Sequence, residues 1–426
     1  MARWMFWGAA LLLLHTYFFY PVILLLLDLA RRAIGRLPPA ADDQPFGPEA
    51  DYPCVTLIVA AYNEASCIEE KIRNSLQIDY PADRFELLIG SDGSTDGTDE
   101  IVRRHVDGPV RFWRGERAGK ASVLNACVPA ASSGIVVLSD ANTMIDAGAV
   151  KRLVRHFEDS EIGAVCGKLR LYNRTRREYE ESAYWTYESW IKAYEGKLGA
   201  VMGANGGLYA IRRRLFTPLP RNTIVDDFVI ATRIIEQGFK MVYDAGAVAH
   251  EETTEDYEKE FKRRTRIAAG NFQSLTLVPH LLSPGLGFRA FAFWSHKVLR
   301  WFAPGLMAVA FAANLLLIAR PLYAVLFAGQ VLFYGLAFAG REKLLEGRLA
   351  RIASVAYYFV TMNVALAVGF WRFACGVQGA TWERTARIDR VTSPGPRVTA
   401  TGSGNVVGPP GSVGRPLPTS ANRLAD

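Results

Sequence analysis

Three short apolar runs in this chain each stop on polar groups. "VTLIVAAYNE" (55–64) ends on Tyr62, Asn63 and Glu64. "FELLIGSDGS" (85–94) ends on Ser91, Asp92, Gly93 and Ser94, and "GIVVLSDANT" (134–143) on Ser139, Asp140, Ala141 and Asn142. Any one cluster fits turn chemistry, because Asp, Asn, Ser and Gly satisfy turn backbone for local reasons. Three of them at equivalent ends of three strands bring carboxylates and carboxamides to one side of a sheet. That recurrence argues for a shared cleft.

The elements between the runs decide whether such a cleft exists. "ASCIEEKIRNSLQ" (65–77), "DEIVRRHV" (99–106), "GKASVLNACVPAAS" (119–132) and "AGAVKRLVRHFED" (147–159) have helical periodicity, and "VRFWR" (110–114) is a further short strand. Strands alternating with helices of this length predict parallel βαβ units in one twisted sheet. Ligands then bind at the carboxyl ends of the strands, near the switch in strand order. No GxGxxG follows the first strand and no GxxxxGK[ST] occurs, which argues against dinucleotide and P-loop sites.

The 426 residues carry a formal charge of +7 and are half hydrophobic, but the apolar residues are unevenly placed. Residues 4–27 contain no charge and exceed the roughly 20 residues that cross a bilayer. The run is longer than a signal-peptide core and "DLARRAIGR" follows it, so it reads as an uncleaved anchor, with Pro21 expected to kink it. Apolar runs recur at about 302–318, 321–340 and 352–371. "LGFRAFAFWSHKVLRWF" (286–302) suits either a helix in the membrane interface or the basic mouth of the next span. Arg31, Arg32 and Arg36 against Arg3 place the middle of the chain in the cytoplasm. Three C-terminal crossings would put the tail outside, yet "WERTARIDR" has the character of an inside tail. One run is therefore a candidate re-entrant or interfacial segment. The five scattered cysteines have no metal-like spacing and read as reduced thiols. The basic balance fits anionic lipid and a phosphate-bearing ligand and gives no case for nucleic acid. The expected organisation is an N-terminal transmembrane anchor (1–30), a cytoplasmic α/β domain (50–278), an interfacial helix (279–300), C-terminal transmembrane helices (301–375) and a disordered Pro/Gly/Ser-rich tail (392–426).

The three strand ends, with "GKASVLN", "GANGGLYAIRRRLF" (203–216), "IVDDFVIATRIIEQGFKMVYD" (224–244) and "FKRRTRIAAGNF" (261–272), resemble the family 2 glycosyltransferases of GT-A fold. The later motifs resemble the membrane-integrated branch that includes cellulose, hyaluronan and poly-N-acetylglucosamine synthases. The resemblance covers about residues 53–300. It implies a GT-A domain inserted between transmembrane helices, in a multi-pass protein of the cell membrane. It also implies a nucleotide-sugar donor, usually a UDP-sugar, a divalent Mg²⁺ or Mn²⁺, and inversion at the anomeric carbon. Further implied partners are a glycan or lipid acceptor and a surface-glycan assembly system.

By that resemblance Asp92 takes the nucleotide base, with Tyr62, Asn63 and Glu64 shaping the same pocket. Lys120 meets the diphosphate; its plain alternative is a solvated first-turn residue. Asp140 and Asn142 match a DxD metal site, where phosphates and waters complete the shell of a hard cation. Asp227 is the general base that takes the acceptor's proton, next to Asp226. The alternative is helix capping, for which Asp is favoured. Asn205 and Gly206 border the acceptor, and Arg266 stabilises the diphosphate. Arg212 and Arg213 are either structural or phosphate-facing, and His250 is either an extra metal ligand or a local polar contact.

The sequence departs from the family in three places. Ser91 replaces an acid. Asn142 replaces a charged ligand. In "RRTRIAAG" the positions of Q-x-x-R-W are held by Arg263, Arg266 and Ile267. An aliphatic side chain offers no aromatic face to a pyranose, which argues against processive synthesis and for transfer of one sugar to a polyprenyl phosphate or other lipid. The interfacial helix and the C-terminal runs argue the other way. A non-catalytic scaffold conflicts with the retained Asp92, Lys120, Asp140, Asp227 and Arg266. A transporter conflicts with spans that lack paired charges.

Overall fold

The computed structural model describes residues 1–35, 52–173, 178–179, 183–252 and 257–379. The tail expected to be disordered, 392–426, lies outside the described residues.

Nine strands among the described residues form one mixed sheet: β1 (Val55–Ala61), β2 (Phe85–Ser91), β3 (Val110–Arg114), β4 (Ile135–Asp140), β5 (Thr143–Ile145), β6 (Ile162–Asn173), β7 (Glu178–Tyr179), β8 (Tyr209–Arg212) and β9 (Lys240–Glu252). Their order is β3-β2-β1-β4-β8-β6-β9-β5, with β7 paired to β6. The first four neighbours are parallel, and β8 is antiparallel to both β4 and β6. Every residue of β1 is buried, as expected of a central parallel strand covered on both faces. Leu57 and Val59 pack into one apolar cluster with Ile68 and Ile72, whereas Ile58 and Ala60 pack into the other with Val123 and Leu124. The helices involved are α3 (Ile68–Leu76) and α5 (Lys120–Ala130).

Register carries this order to the site. Ala61 pairs with Ser91 and Ala60 with Asp140, so the strands end level with one another. The chain runs outward through β1, β2 and β3, then returns to the other side of β1 as β4. The strand order reverses there, and the polar ends of β1 and β4 flank that switch point.

The apolar ends of the chain are helical. The first two helices, α1 (Ala2–Leu14) and α2 (Tyr20–Ala33), are joined by a π turn, His15–Phe19, into one helix of 32 residues. Pro21 does not break it. Proline cannot donate to the carbonyl four residues back, and the Tyr187 hydroxyl supplies a hydrogen bond to that Tyr17 carbonyl at 2.9 Å. At the other end lie α12 (Ala303–Leu315), α13 (Pro321–Arg341) and α14 (Gly347–Ala374). The first, second and third of the candidate spans are Ala2–Ala33, α13 and α14. The 13 residues of α12 rise only about 20 Å, short of a hydrocarbon core of about 30 Å. It follows the segment Phe288–Trp301, expected from the sequence to lie in the interface, at a bend of 63°, as a broken span or a re-entrant loop would.

Helix α7 (Ala183–Lys197) joins the sheet to these segments. Its Glu188 accepts from Lys297 (2.6 Å) and Arg300 (2.8 Å) of the interface segment. Its Glu195 accepts from the Tyr20 hydroxyl at 2.6 Å and contacts the His296 ring at 2.7 Å. All these groups but the half-buried Lys297 are buried, and each carboxylate has donors around it, which a buried ion group requires.

Candidate active site

At the end of β2, Asp92 is fully buried. Its carboxylate accepts from the backbone N–H of Ala118 (2.8 Å) and Gly119 (2.9 Å) and pairs with the Arg117 guanidinium. That guanidinium lies 3.3 Å from the centroid of the Tyr62 ring, in stacking contact. Gly93 makes the arrangement sterically feasible: its φ is +68°, and a Cβ there would stand 2.9 Å from the Arg117 nitrogen. Asn63 and Glu64 fix the end of β1 to the next turn. The Asn63 carboxamide oxygen accepts from Thr95 N–H at 2.8 Å, and Glu64 N–H donates to the Thr98 hydroxyl at 2.8 Å. Tyr62, Arg117 and Asp92 thus form one wall. Arg117 was not anticipated from the sequence; its only signal was proximity to Lys120.

Directly after Gly119 comes Lys120, the first residue of α5. Its ammonium lies 2.7 Å from Asp140 and 3.0 Å from Asp226. Burial works against the ammonium, but the carboxylates of Asp140, Asp226 and Asp227 outweigh it and hold its pKa above the ordinary value. For Asp140, burial favours the neutral acid. Lys120, with further help from Lys71 and Arg263, overcomes this and holds the carboxyl below its usual range. Asp226 and Asp227 open α8 (Asp226–Glu236), where acidic side chains complement the helix N-terminus. Burial, then the Asp226 charge, pushes the Asp227 carboxyl up to about 6, against the pull of Lys120.

Gly206 brings the two acids to one space. A Cβ built on it would stand 3.2 Å from Asp140 Oδ2 and 3.2 Å from Asp227 Oδ2. Any side chain there would enter the space both carboxylates face. Its neighbour Asn205 accepts from the Lys192 ammonium at 2.5 Å and donates to the Gly167 carbonyl at 2.9 Å. Asn142 donates to Glu251 at 3.3 Å, which orients its carboxamide beside Asp140.

Two supports lay outside the sequence reading. Lys71 is fully buried and donates to the Ser139 hydroxyl (2.7 Å) and the Thr143 carbonyl (2.5 Å), on either side of the Asp140–Asn142 turn. Its sequence signal was a cation on the apolar stripe of α3, beside Ile68 and Ile72. Tyr209 on β8 borders a small internal gap together with Lys120, Ser139 and Gly206.

Arg266 and Ile267 lie on α9 (Tyr257–Leu277). Arg266 donates to the Ile224 carbonyl at 3.4 Å and sits in the field of Asp226, Asp227 and Asp140. Ile267 packs against the apolar core. Arg212 and Arg213 donate to backbone carbonyls of Ile162 and Ala131, a structural use, and His250 contacts Asp146 at 2.8 Å.

The donor set fits a hard divalent cation shared with a phosphate ligand. Lys120 contacts Oδ1 of Asp140, while Oδ2 faces the space at Gly206, where a cation would meet it. Among the described residues no group of three or more His, Cys, Asp or Glu could hold a metal alone. Such a site suits an ion that keeps water and phosphate oxygens.

Comparisons with known proteins agree with this arrangement. The family model described as "Glycosyltransferase like family 2" matches residues 53–270. The poly-beta-1,6-N-acetyl-D-glucosamine synthase of Staphylococcus aureus (strain COL) is 26% identical over 229 residues, 52% of this chain and 55% of that protein. A probable glycosyltransferase of Bacillus subtilis (strain 168), YdaM, is 25% identical over 237 residues, 52% of this chain and 56% of its own length. The match thus spans about half the length of the curated relatives. The solved mannosyltransferase PcManGT from Pyrobaculum calidifontis, in complex with GDP-Man and Mn²⁺, superposes with a TM-score of 0.61 at 24% identity, covering 87% of this chain and 99% of that one. That likeness establishes the GT-A fold.

Proposed function

Because the chain belongs to glycosyltransferase family 2 and is a glycosyltransferase, we propose that it transfers a sugar with inversion from a nucleotide-sugar donor, a UDP-sugar, to a glycan or lipid acceptor in exopolysaccharide or glycolipid synthesis at the cytoplasmic face of the membrane. The observation that carries this reading is the shared space at Gly206, faced by both Asp140 and Asp227.

The donor's base lies against Tyr62 and Arg117, with Asp92 fixing both the guanidinium and the 118–119 backbone. Lys120 and Arg266 face the diphosphate. Asp140 and Asn142 would hold a divalent cation, which would neutralise charge on the leaving diphosphate. The acceptor hydroxyl enters beside Asn205 and Gly206. Asp227 takes its proton while the oxygen attacks the anomeric carbon. The bond from that carbon to the diphosphate oxygen breaks, and the electron pair leaves with the diphosphate. A carboxyl titrating near 6 is ionised at neutral pH yet basic enough to accept that proton.

The packing of Ile267 into the core favours a single transfer to a lipid-linked acceptor over processive growth. For topology, the carboxyl end of α14 returns to the catalytic domain, with the rings of Phe370 and Phe373 at 5.0 and 6.5 Å from Phe272 of α9. This supports a re-entrant α12 and a tail on the cytoplasmic side.

The test is purified protein in nanodiscs with a panel of nucleotide sugars, Mn²⁺ or Mg²⁺, and lipid acceptors, reading nucleotide release and product length together. Release that Asp227→Asn lowers by about 10²–10⁴-fold supports the base. An Asp227→Asn rate equal to wild type, with folding intact, sinks it.

A further inference from the structure

Lys120 has two tasks that conflict. Its ammonium joins Asp140 and Asp226, while the function proposed above asks it to meet a diphosphate. Asp140 gains a divalent cation in that step. Asp226 gains nothing from it. Asp226 is 8% exposed, and Lys120, 3.0 Å from its Oδ2, is the cation in contact with it, with Arg266 adding to its field from farther off. A buried carboxylate stripped of its cation is costly.

An unsatisfied group borders the same lysine. Tyr209 is 1% exposed, and its hydroxyl makes no hydrogen bond to any described residue. Phenylalanine would fill the same volume without that cost. The ring borders a small internal gap together with Lys120, Ser139 and Gly206. Burial foremost, and then the Asp226 charge, keep this phenol protonated, so it is a neutral donor.

We propose that Tyr209 is a positioning residue that donates its hydroxyl to the Asp226 carboxylate when Lys120 turns to the donor diphosphate. The hydroxyl is unsatisfied in one state because it serves the other. This rests on the donor reading above, and it assigns to β8 a part in how the site exchanges its charges.

The test combines stability and binding on the full chain in nanodiscs. Tyr209→Phe leaves the melting temperature of the nucleotide-free protein unchanged or higher. It weakens binding of UDP or GDP with Mn²⁺, measured by calorimetry, about tenfold, the worth of one hydrogen bond to a charged group. In an Asp226→Asn background the same change weakens binding less than about twofold, since a neutral amide needs no replacement for the lysine. In a Lys120→Met background Asp226 has lost its cation from the outset, and Tyr209→Phe lowers the melting temperature by several degrees. Equal nucleotide affinity for wild type and Tyr209→Phe overturns the proposal, as does a Tyr209→Phe effect on melting that is the same with and without Lys120. If wild type binds neither nucleotide, the donor reading fails instead, and the melting comparison alone decides the role of Tyr209.

Discussion

Replacing Gly206 by alanine puts a methyl group 3.2 Å from an oxygen of Asp140 and 3.2 Å from an oxygen of Asp227. Both contacts are tighter than a comfortable carbon–oxygen separation, so each carboxylate must retreat by a few tenths of an ångström. A misplacement of about 1 Å costs roughly 10²-fold in rate when reacting groups must align, so two smaller ones together cost on the order of 10–100-fold. The methyl also removes water from the two acids. If that moves the Asp227 carboxyl from about 6 by one further unit, its ionised share at pH 7 falls only about twofold, so geometry dominates. Stability moves the other way. Gly206 is outside the left-handed region, and alanine at a compatible position gains about 0.4–1 kcal/mol by restricting the unfolded chain. The expected enzyme is therefore as stable as wild type and slower by one to two orders of magnitude in nucleotide release. Unchanged turnover at unchanged melting temperature would refute the claim that Asp140 and Asp227 act on one shared space.

Three other outcomes follow from the same geometry. Turnover should rise with pH through about 6 and then level, as the Asp227 carboxyl loses its proton; because that pKa is raised, the stability this group contributes is full below about 4 and is lost as pH rises through 6, and a pH–rate profile reads the first effect. Lys71, with burial pushing its ammonium down to about 7, binds its proton less readily than the unfolded chain does. Wild-type stability should therefore rise from pH 7 toward 10, by up to about 1.4 kcal/mol per unit, and Lys71→Met should flatten that slope in denaturation series. Asn142→Asp supplies the missing charge beside Asp140, so half-maximal activity should require less Mn²⁺ in a metal titration; an unchanged requirement would separate Asn142 from the metal.

The parallel strands and their level ends were legible because each is a short run of strand-forming residues followed by a helical one, and local pattern alone fixes such units. The convergence of Asp92, Asp140 and the Asp226–Asp227 pair could be expected from strand-end logic and family resemblance. Their partners could not. Arg117 reaches Asp92 across 25 residues, and Lys71 reaches Ser139 across 68, so each depends on how a turn and a helix dock. Lys71 was visible only as a misfit on an apolar stripe. Hydropathy marks 302–318 as an apolar run and topology makes one run a candidate re-entrant segment, but neither registers that the helix restarts at Ala303 after a bend and extends only to Leu315.

The catalytic and membrane parts are mechanically one object through a single face of α7. Glu188, Lys192 and Glu195 stand at i, i+4 and i+7, on the same side of the helix. Lys192 holds Asn205, next to the glycine that both acids face. Glu188 and Glu195 hold the interface segment and the first membrane helix through Lys297, Arg300, His296 and Tyr20. Buried pairs of this kind add little net stability, since desolvation offsets much of their attraction. They do fix register, because any sliding of α7 would strip several charges of their partners at once. Asn205, which the proposed function sets beside the acceptor, is therefore held in one register with the apolar helices. If the acceptor arrives from the bilayer, that register fixes how far from it Asp227, the proposed base, stands.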